Sequence, residues 1–310
     1  IVDMDITQDG EDNSIRSLNT NSGYASVGGN NKTFTVTQQG DSNRAGFWTH
    51  GGNQVITVTQ KGDSNVSAVD NHGNNNDITL DIEGDFNVTH TEIGNGGDEF
   101  NDMSVIIRGD SNNAYVEVLN GDSNDIDAQI QSQDSNTMRI TVNGNSNNIK
   151  AWQGKHEDGN VDNNETGDND AYWYITGSNN TTASYQTDDR GNGGQYLFND
   201  IDGSTNTIKI TQRGAGNHSS TTDVNGDNND ITVLQRGNNN QMTSTITVDS
   251  GHEVDLLQRY GDHTATINLT NSGGAYNLDV DQIDQNTDRS YSITGYCANS
   301  SGCTVSVTQN

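Results

Sequence analysis

Apolar and polar residues alternate with period two along short runs, and the runs recur. The run Phe34, Thr35, Val36, Thr37, Gln38, Gln39, Gly40, Asp41, Ser42, Asn43 is followed 22 residues on by Ile56, Thr57, Val58, Thr59, Gln60, Lys61, Gly62, Asp63, Ser64, Asn65. A third copy, Ile78, Leu80, Ile82, Gly84, Asp85, Asn87, keeps that offset, and the pattern returns at Val105, Ile107, Gly109, Asp110 and Asn112. Alternation over four to six residues bounded by Gly, Asp and Asn predicts short β-strands closed by turns.

Weaker half-repeats lie between the strong ones, such as Ala45, Phe47, Thr49, Gly51 and Val66, Ala68, Asn71, Gly73. The unit is therefore about 11 residues, one strand and one turn, and two units make one coil. Later halves include Ala114/Val116/Val118, Met138/Ile140/Val142, Ala171/Trp173/Ile175, Ile208/Ile210/Gln212, Ile231/Val233/Gln235 and Val305/Val307/Gln309. About 25 halves can be traced over 1–310, and with that count the Gln-bearing strands all take odd numbers, so one face carries a glutamine column. Residues 156–165 and 187–194 break the rhythm and are predicted as longer loops within a single repeat domain.

In a strand, alternate side chains face opposite sides, so Phe34, Val36 and Gln38 point into the coil and Thr33, Thr35 and Thr37 point out. One coil cannot cover that narrow core, but coils stacked about 4.8 Å apart pair every N–H and C=O with a neighbour. The predicted fold class is all-β, a β-solenoid of about 12 to 13 two-strand coils, roughly 60 Å long, with amyloid-like cross-β stacking.

Two sets of residues should fix the register. Inward Gln8, Gln38, Gln60, Gln212, Gln235, Gln258, Gln282 and Gln309, with turn Asn43, Asn65, Asn87, Asn112, Asn217 and Asn240, can hydrogen-bond to like neighbours along the axis. Gly10, Gly40, Gly62, Gly84, Gly109, Gly214 and Gly237 are expected to supply a positive φ at each turn.

Composition changes the picture in one respect. Only 28% of residues are hydrophobic and the formal net charge is −29, values that by themselves suggest disorder. The regular repeat, the preference for Ile and Val and the absence of proline argue the other way. An excess of 43 acidic over 14 basic residues argues against binding nucleic acid or an anionic membrane, and no run is long and apolar enough for membrane insertion. The start at Ile1 suits a processed export product. Cys297 and Cys303, six positions apart, could close a disulfide loop in an oxidising compartment.

No nucleophile motif, phosphate-cradling loop or recurrent metal-ligand cluster is present, so neither an enzyme nor a cofactor or metal is expected. His50 and His72, 22 residues apart, read best as stacked, solvated turn residues. Trp48, Trp152 and Trp173 fit coil interiors or stabilised faces better than a sugar-binding surface.

Gln38-x-Gly40-x-x-Asn43-x-Ala45 resembles the repeat of the bacterial curlin family, and Gln60-x-Gly62-x-x-Asn65 repeats it with Ser67 in the last place. The resemblance spans nearly the whole chain, which looks like an enlarged, divergent member. It implies export to the cell surface and self-assembly into extracellular amyloid-like fibres for biofilm matrix and adhesion, with a nucleating subunit and an outer-membrane secretion pore as partners. The first strand, with Val2, Met4, Ile6 and Gln8, and the last, with Val305, Val307 and Gln309, match without a polar or proline cap, which suggests head-to-tail growth. Two alternatives need no catalysis either: an ice-binding solenoid, from the outward pairs Thr35/Thr37 and Thr57/Thr59, and the stalk of a surface adhesin.

Overall fold

Each period-two run becomes a strand, and strands pair with the next but one along the chain. The computed structural model describes residues 2–14, 25–28, 31–72, 75–94, 102–119, 121, 123–131, 136–154, 169–188, 195–214, 218–237, 241–260, 262–269, 276–283, 289–295 and 303–310. The chain divides into two compact units, 1–152 and 153–310, and the boundary falls within one strand, Asn148–Gly154. Every pairing named below is parallel.

In the first unit the strands are β1 (Val2–Thr7), β2 (Ala25–Gly28), β3 (Lys32–Thr37), β4 (Phe47–His50), β5 (Gln54–Thr59), β6 (Ser67–His72), β7 (Asn76–Ile82), β8 (Thr89–Ile93), β9 (Asp102–Ile107), β10 (Ala114–Val118), β11 (Asp125–Ile130) and β12 (Asn136–Asn143). Odd strands β1-β3-β5-β7-β9-β11 form one sheet. Even strands β2-β4-β6-β8-β10-β12 form the other. The boundary strand, Asn148–Gly154, is β13.

In the second unit come β14 (Asn169–Thr176), β15 (Thr181–Asp188), β16 (Gln195–Asp202), β17 (Thr207–Gly214), β18 (His218–Asp227), β19 (Asp230–Gly237), β20 (Gln241–Ser250), β21 (Glu253–Arg259), β22 (Asp262–Leu269), β23 (Asn277–Ile283), β24 (Arg289–Gly295) and β25 (Thr304–Gln309). Again odd strands β15 to β25 make one sheet and even strands β14 to β24 the other. Each unit is thus a β-solenoid of parallel stacked strands, all-β among the described residues.

The sorting of side chains follows the alternation. In β3, Phe34 and Val36 are buried while Thr33 is exposed, and the apolar positions stack in register as Phe34–Ile56–Ile78 and Val36–Val58–Leu80. In the second unit Ile208–Ile231–Val254–Leu278 and Ile210–Val233–Leu256–Val280 do the same. The sheets close over these columns, as where the Phe34 and Phe47 ring centroids lie 6.0 Å apart. Each coil therefore buries a few apolar residues completely, and a low overall apolar fraction suffices.

Two arches join the strands, both with Gly-x-x-Asn spacing. Where an odd strand passes to an even one in the first unit, the left-handed residue is not the glycine but the acid after it: Asp41, Asp63 and Asp85 have φ of 73°, 79° and 80°. This corrects the expected positive φ at Gly10, Gly40, Gly62, Gly84 and Gly109. Their missing Cβ serves the stack instead, since a Cβ at Gly84 would lie 3.1 Å from Asp110 Oδ1 in the next coil. At the opposite corner in the second unit the positive φ is shared: Gly177, Gly203 and Gly226 have φ of 134°, 145° and 133°, and Asn179, Thr205 and Asn228, two residues on, have φ of 61°, 64° and 57°. Gly214 (φ 151°) is also left of the ordinary region, whereas Gly237 is not.

The predicted loop at 187–194 begins late, because Thr187 and Asp188 still pair within β15. Residues 156–165 and 189–194 lie outside the described residues.

Candidate amide ladders and assembly edges

The inward glutamines close each run of apolar residues, at the last inward position before the arch. In the first unit Gln8 Nε2 donates to Gln38 Oε1 at 3.0 Å, and Gln38 Nε2 donates to Gln60 Oε1 at 2.6 Å. In the second unit the donors point the other way along the chain. Gln309 donates to Gln282, Gln282 to Gln258, Gln258 to Gln235, Gln235 to Gln212 and Gln212 to Gln186, over 2.6 to 2.9 Å. Buried amides of the ladders also bond the backbone, as Gln38 does with Arg44 O and Gln212 with Ser219 O. A column of mutually bonded buried amides penalises any one-residue slip of a strand.

The asparagines form a second ladder at the arch. Asn43 Nδ2 donates to Asn13 Oδ1 (2.8 Å), Asn65 to Asn43 (2.6 Å) and Asn87 to Asn65 (2.6 Å), and Asn112 donates to Asn87. Here Asp63 Oδ1 also accepts from the Asp41 N–H at 2.8 Å. Asn217, Asn240 and Cys297 lie outside the described residues, and Cys303 takes part in a disulfide.

Several ladder members were not anticipated. Gln153 and Gln186 extend the second glutamine ladder, with Gln186 Nε2 donating to Gln153 Oε1 at 2.8 Å. At the opposite corner Asn124 Nδ2 donates to Asn147 Oδ1, and the backbone N–H groups of Asn180 and Asn206 donate to the Oδ1 of Asn206 and Asn229. Their signal was present as Gly121-x-x-Asn124, Gly144-x-x-Asn147, Gly177-x-x-Asn180, Gly203-x-x-Asn206 and Gly226-x-x-Asn229.

The terminal strands expose what inner coils hide. Among the described residues β1 pairs with β3 alone and β25 with β23 alone. Met4 occupies the position of Phe34 yet is 39% exposed against 1%, and Val305 occupies that of Leu278 at 49% against 0%. Each terminal strand therefore offers an unpaired backbone edge and an uncovered apolar column with the pattern of the coils behind it.

The outward faces are acidic and irregular. Asp77, Asp102 and Asp125 stand in register, and burial together with the neighbouring carboxylates of Asp125, Asp77 and Asp127 raises the Asp102 carboxyl above its ordinary range. Asp200 is raised in the same way, by burial and then by Asp202 and Asp223. The outward threonine columns are short: Thr35–Thr57–Thr79 is flanked by Asp5, and Thr7–Thr37–Thr59 ends at Asp81, which pairs with Arg108. Trp173 is buried, Trp152 nearly so, and Trp48 lies on the outside. His50 and His72 are register partners on β4 and β6.

No protein-family model, curated protein or solved structure matches this chain.

Proposed function

We propose that the chain is a structural, non-enzymatic subunit of extracellular amyloid-like fibres, growing end to end by strand pairing at its terminal coils. The observation that carries this reading is the pair of open edges, where Met4 and Val305 leave exposed the apolar columns that are covered in the described inner strands of the odd sheets. A second copy set against either edge would bury that column and pair its backbone, as one coil does for the next. The curlin-like motif supports the same reading and suggests the setting: export to the cell surface, biofilm matrix and adhesion, a nucleating subunit and a secretion pore. On this proposal the about 12 to 13 coils expected from the repeat are the axial length one subunit adds to the fibre.

The ladders place a condition on the joint. Gln8 and Gln309 both donate inward and so present acceptors outward; a joint that set β1 of one copy directly on β25 of another would bring acceptor to acceptor unless the short ladder Gln8–Gln38–Gln60 turned over as a group. The short, interrupted threonine columns disfavour the ice-binding alternative.

Val305→Lys tests the proposal. In the free chain the new side chain reaches water, because Val305 is half exposed, whereas in a fibre it is buried at the joint. Burying an unpaired ammonium costs several kcal/mol. The variant should fold like the wild type yet fail to elongate seeds; elongation at the wild-type rate would overturn the proposal.

A further inference from the structure

The outward face of the even sheet in the first unit carries a group of side chains unlike the rest of the acidic surface. On β8, His90 and Glu92 are two residues apart and so project from the same face. On β10, Tyr115 and Glu117 are their register partners. One nitrogen or oxygen from each of His90, Glu92 and Glu117 lies within 4.8 Å of those of the other two.

Two features show that the group is built in more detail than a chance meeting of acids. The Tyr115 ring meets the His90 ring edge to face, with centroids 4.8 Å apart and planes at 86°, which orients the imidazole. The Tyr115 hydroxyl donates to Glu117 Oε2 at 3.0 Å, which orients that carboxylate and leaves Glu117 Oε1 for another partner. Arg139 lies over the same ring, 5.3 Å from its centroid. One tyrosine thus positions two of the three donors.

Carboxylates also face one another across the strands at this point. Glu92 and Glu117 stand directly opposite each other on adjacent strands, and Asp70 on β6 stands next to Glu92 in the same row. Like charges directly opposite on paired strands are destabilising. On the far side of Glu117 the row continues as Thr141, and Arg139 lies two residues before it on the same strand.

We propose that His90, Glu92 and Glu117 bind a divalent transition cation of the zinc class, with water in the remaining coordination position. An imidazole and two carboxylates are a three-ligand zinc set, with bonds of about 2.0–2.2 Å. Calcium and magnesium instead require about six or more oxygen ligands, which three side chains with one nitrogen do not supply. Ligand atoms on a tetrahedral zinc lie roughly 3.3 Å apart, so the donors close in by side-chain rotation while the strands stay in place. The site cross-links β8 and β10, and its occupancy stabilises the folded first unit by mass action. This inference is independent of fibre assembly, since it concerns one chain and an outward face.

The test is titration of the purified chain, kept below its assembly concentration, with zinc chloride and separately with calcium chloride, followed by calorimetry and by thermal unfolding. The expected result is one saturable equivalent of zinc per chain, with a raised melting temperature and no matching calcium equivalent. His90→Ala and Glu117→Gln should each remove that equivalent while leaving the far-ultraviolet spectrum unchanged. Tyr115→Phe, which touches no metal, should keep the stoichiometry and weaken binding roughly 10- to 100-fold, as lost support behind a ligand does. Asp63→Asn, an acid on a distant arch, controls for diffuse binding and should change nothing. Absence of a saturable equivalent in the wild type, or its survival in His90→Ala, would overturn the proposal.

Discussion

Replacing Gln235 by leucine isolates the contribution of the glutamine ladder. Gln235 is fully buried, donates to Gln212 Oε1 at 2.8 Å and accepts from Gln258 Nε2 at 2.8 Å. Leucine nearly preserves the volume, so little cavity opens and the loss falls on hydrogen bonding. Gln258 Nε2 keeps a bond to Thr264 O at 3.1 Å, whereas Gln212 Oε1 loses its ladder donor. One buried acceptor left unsatisfied costs about 1–3 kcal/mol, and the bonds lost from Gln258 Nε2 and to Ser220 Oγ, the latter long at 3.4 Å, cost about 1 kcal/mol together. The added apolar surface returns about 1 kcal/mol. The net destabilisation is therefore about 2 kcal/mol, while Gln235→Glu, which buries a charge against Gln212 Oε1, should cost more than about 3 kcal/mol. Urea denaturation gives the totals. Because neighbouring coils interact pairwise, hydrogen exchange should show the loss concentrated in β17, β19 and β21. A leucine variant within about 0.5 kcal/mol of the wild type would refute the claim that the ladder stabilises the stack.

Other consequences follow from the arches and the acid columns. Gly203→Ala should cost more than about 4 kcal/mol or prevent folding of the second unit, because the new Cβ would overlap the carbonyl oxygen of Gly177 and the backbone there is left-handed; circular dichroism and urea titration measure it. Asp63→Ala should cost about 1–2 kcal/mol, through the lost bond to the Asp41 N–H and a left-handed alanine, whereas Asp63→Asn should be nearly neutral, since asparagine tolerates φ of 79° and keeps an acceptor. Asp200 gives a pH test. Its folded carboxyl is raised above its unfolded value, so the folded state holds its proton more tightly, and this group's contribution falls as pH rises through the window from the unfolded to the folded pKa. Asp200→Asn should therefore raise the melting temperature at pH 7, with the advantage shrinking toward pH 4. An advantage that grows on acidification would contradict the sign.

The sheets were legible in the sequence because their signal is arithmetic. Ile56, Val58 and Gln60 lie 22 residues after Phe34, Val36 and Gln38, and parallel in-register stacking turns that offset directly into columns. The turns were less legible. Gly40-x-x-Asn43 and Gly203-x-x-Asn206 share one spacing, yet the first puts the positive φ on Asp41 and the second on both Gly203 and Thr205. The difference lies in which atoms of the adjoining coil crowd each glycine, a three-dimensional fact that spacing does not carry. Gln186 escaped because the inward positions before it are Thr182 and Ser184, which break the apolar alternation, and Gln153 is bonded to it only through the coaxial stacking of their strands. The His90, Glu92 and Glu117 group escaped because 25 residues separate its two strands' partners, outside the 22-residue frame, and only the register of β8 with β10 brings them together.

The central claim is that the stack continues from one copy to the next. Electron microscopy and fibre diffraction of the purified chain, left at neutral pH, test it most directly. Filaments with a meridional spacing of about 4.7–4.8 Å along their axis are the predicted result. A chain that stays monomeric at concentrations where seeds are supplied, with no such reflection, would contradict end-to-end assembly while leaving the solenoid fold of each unit untouched.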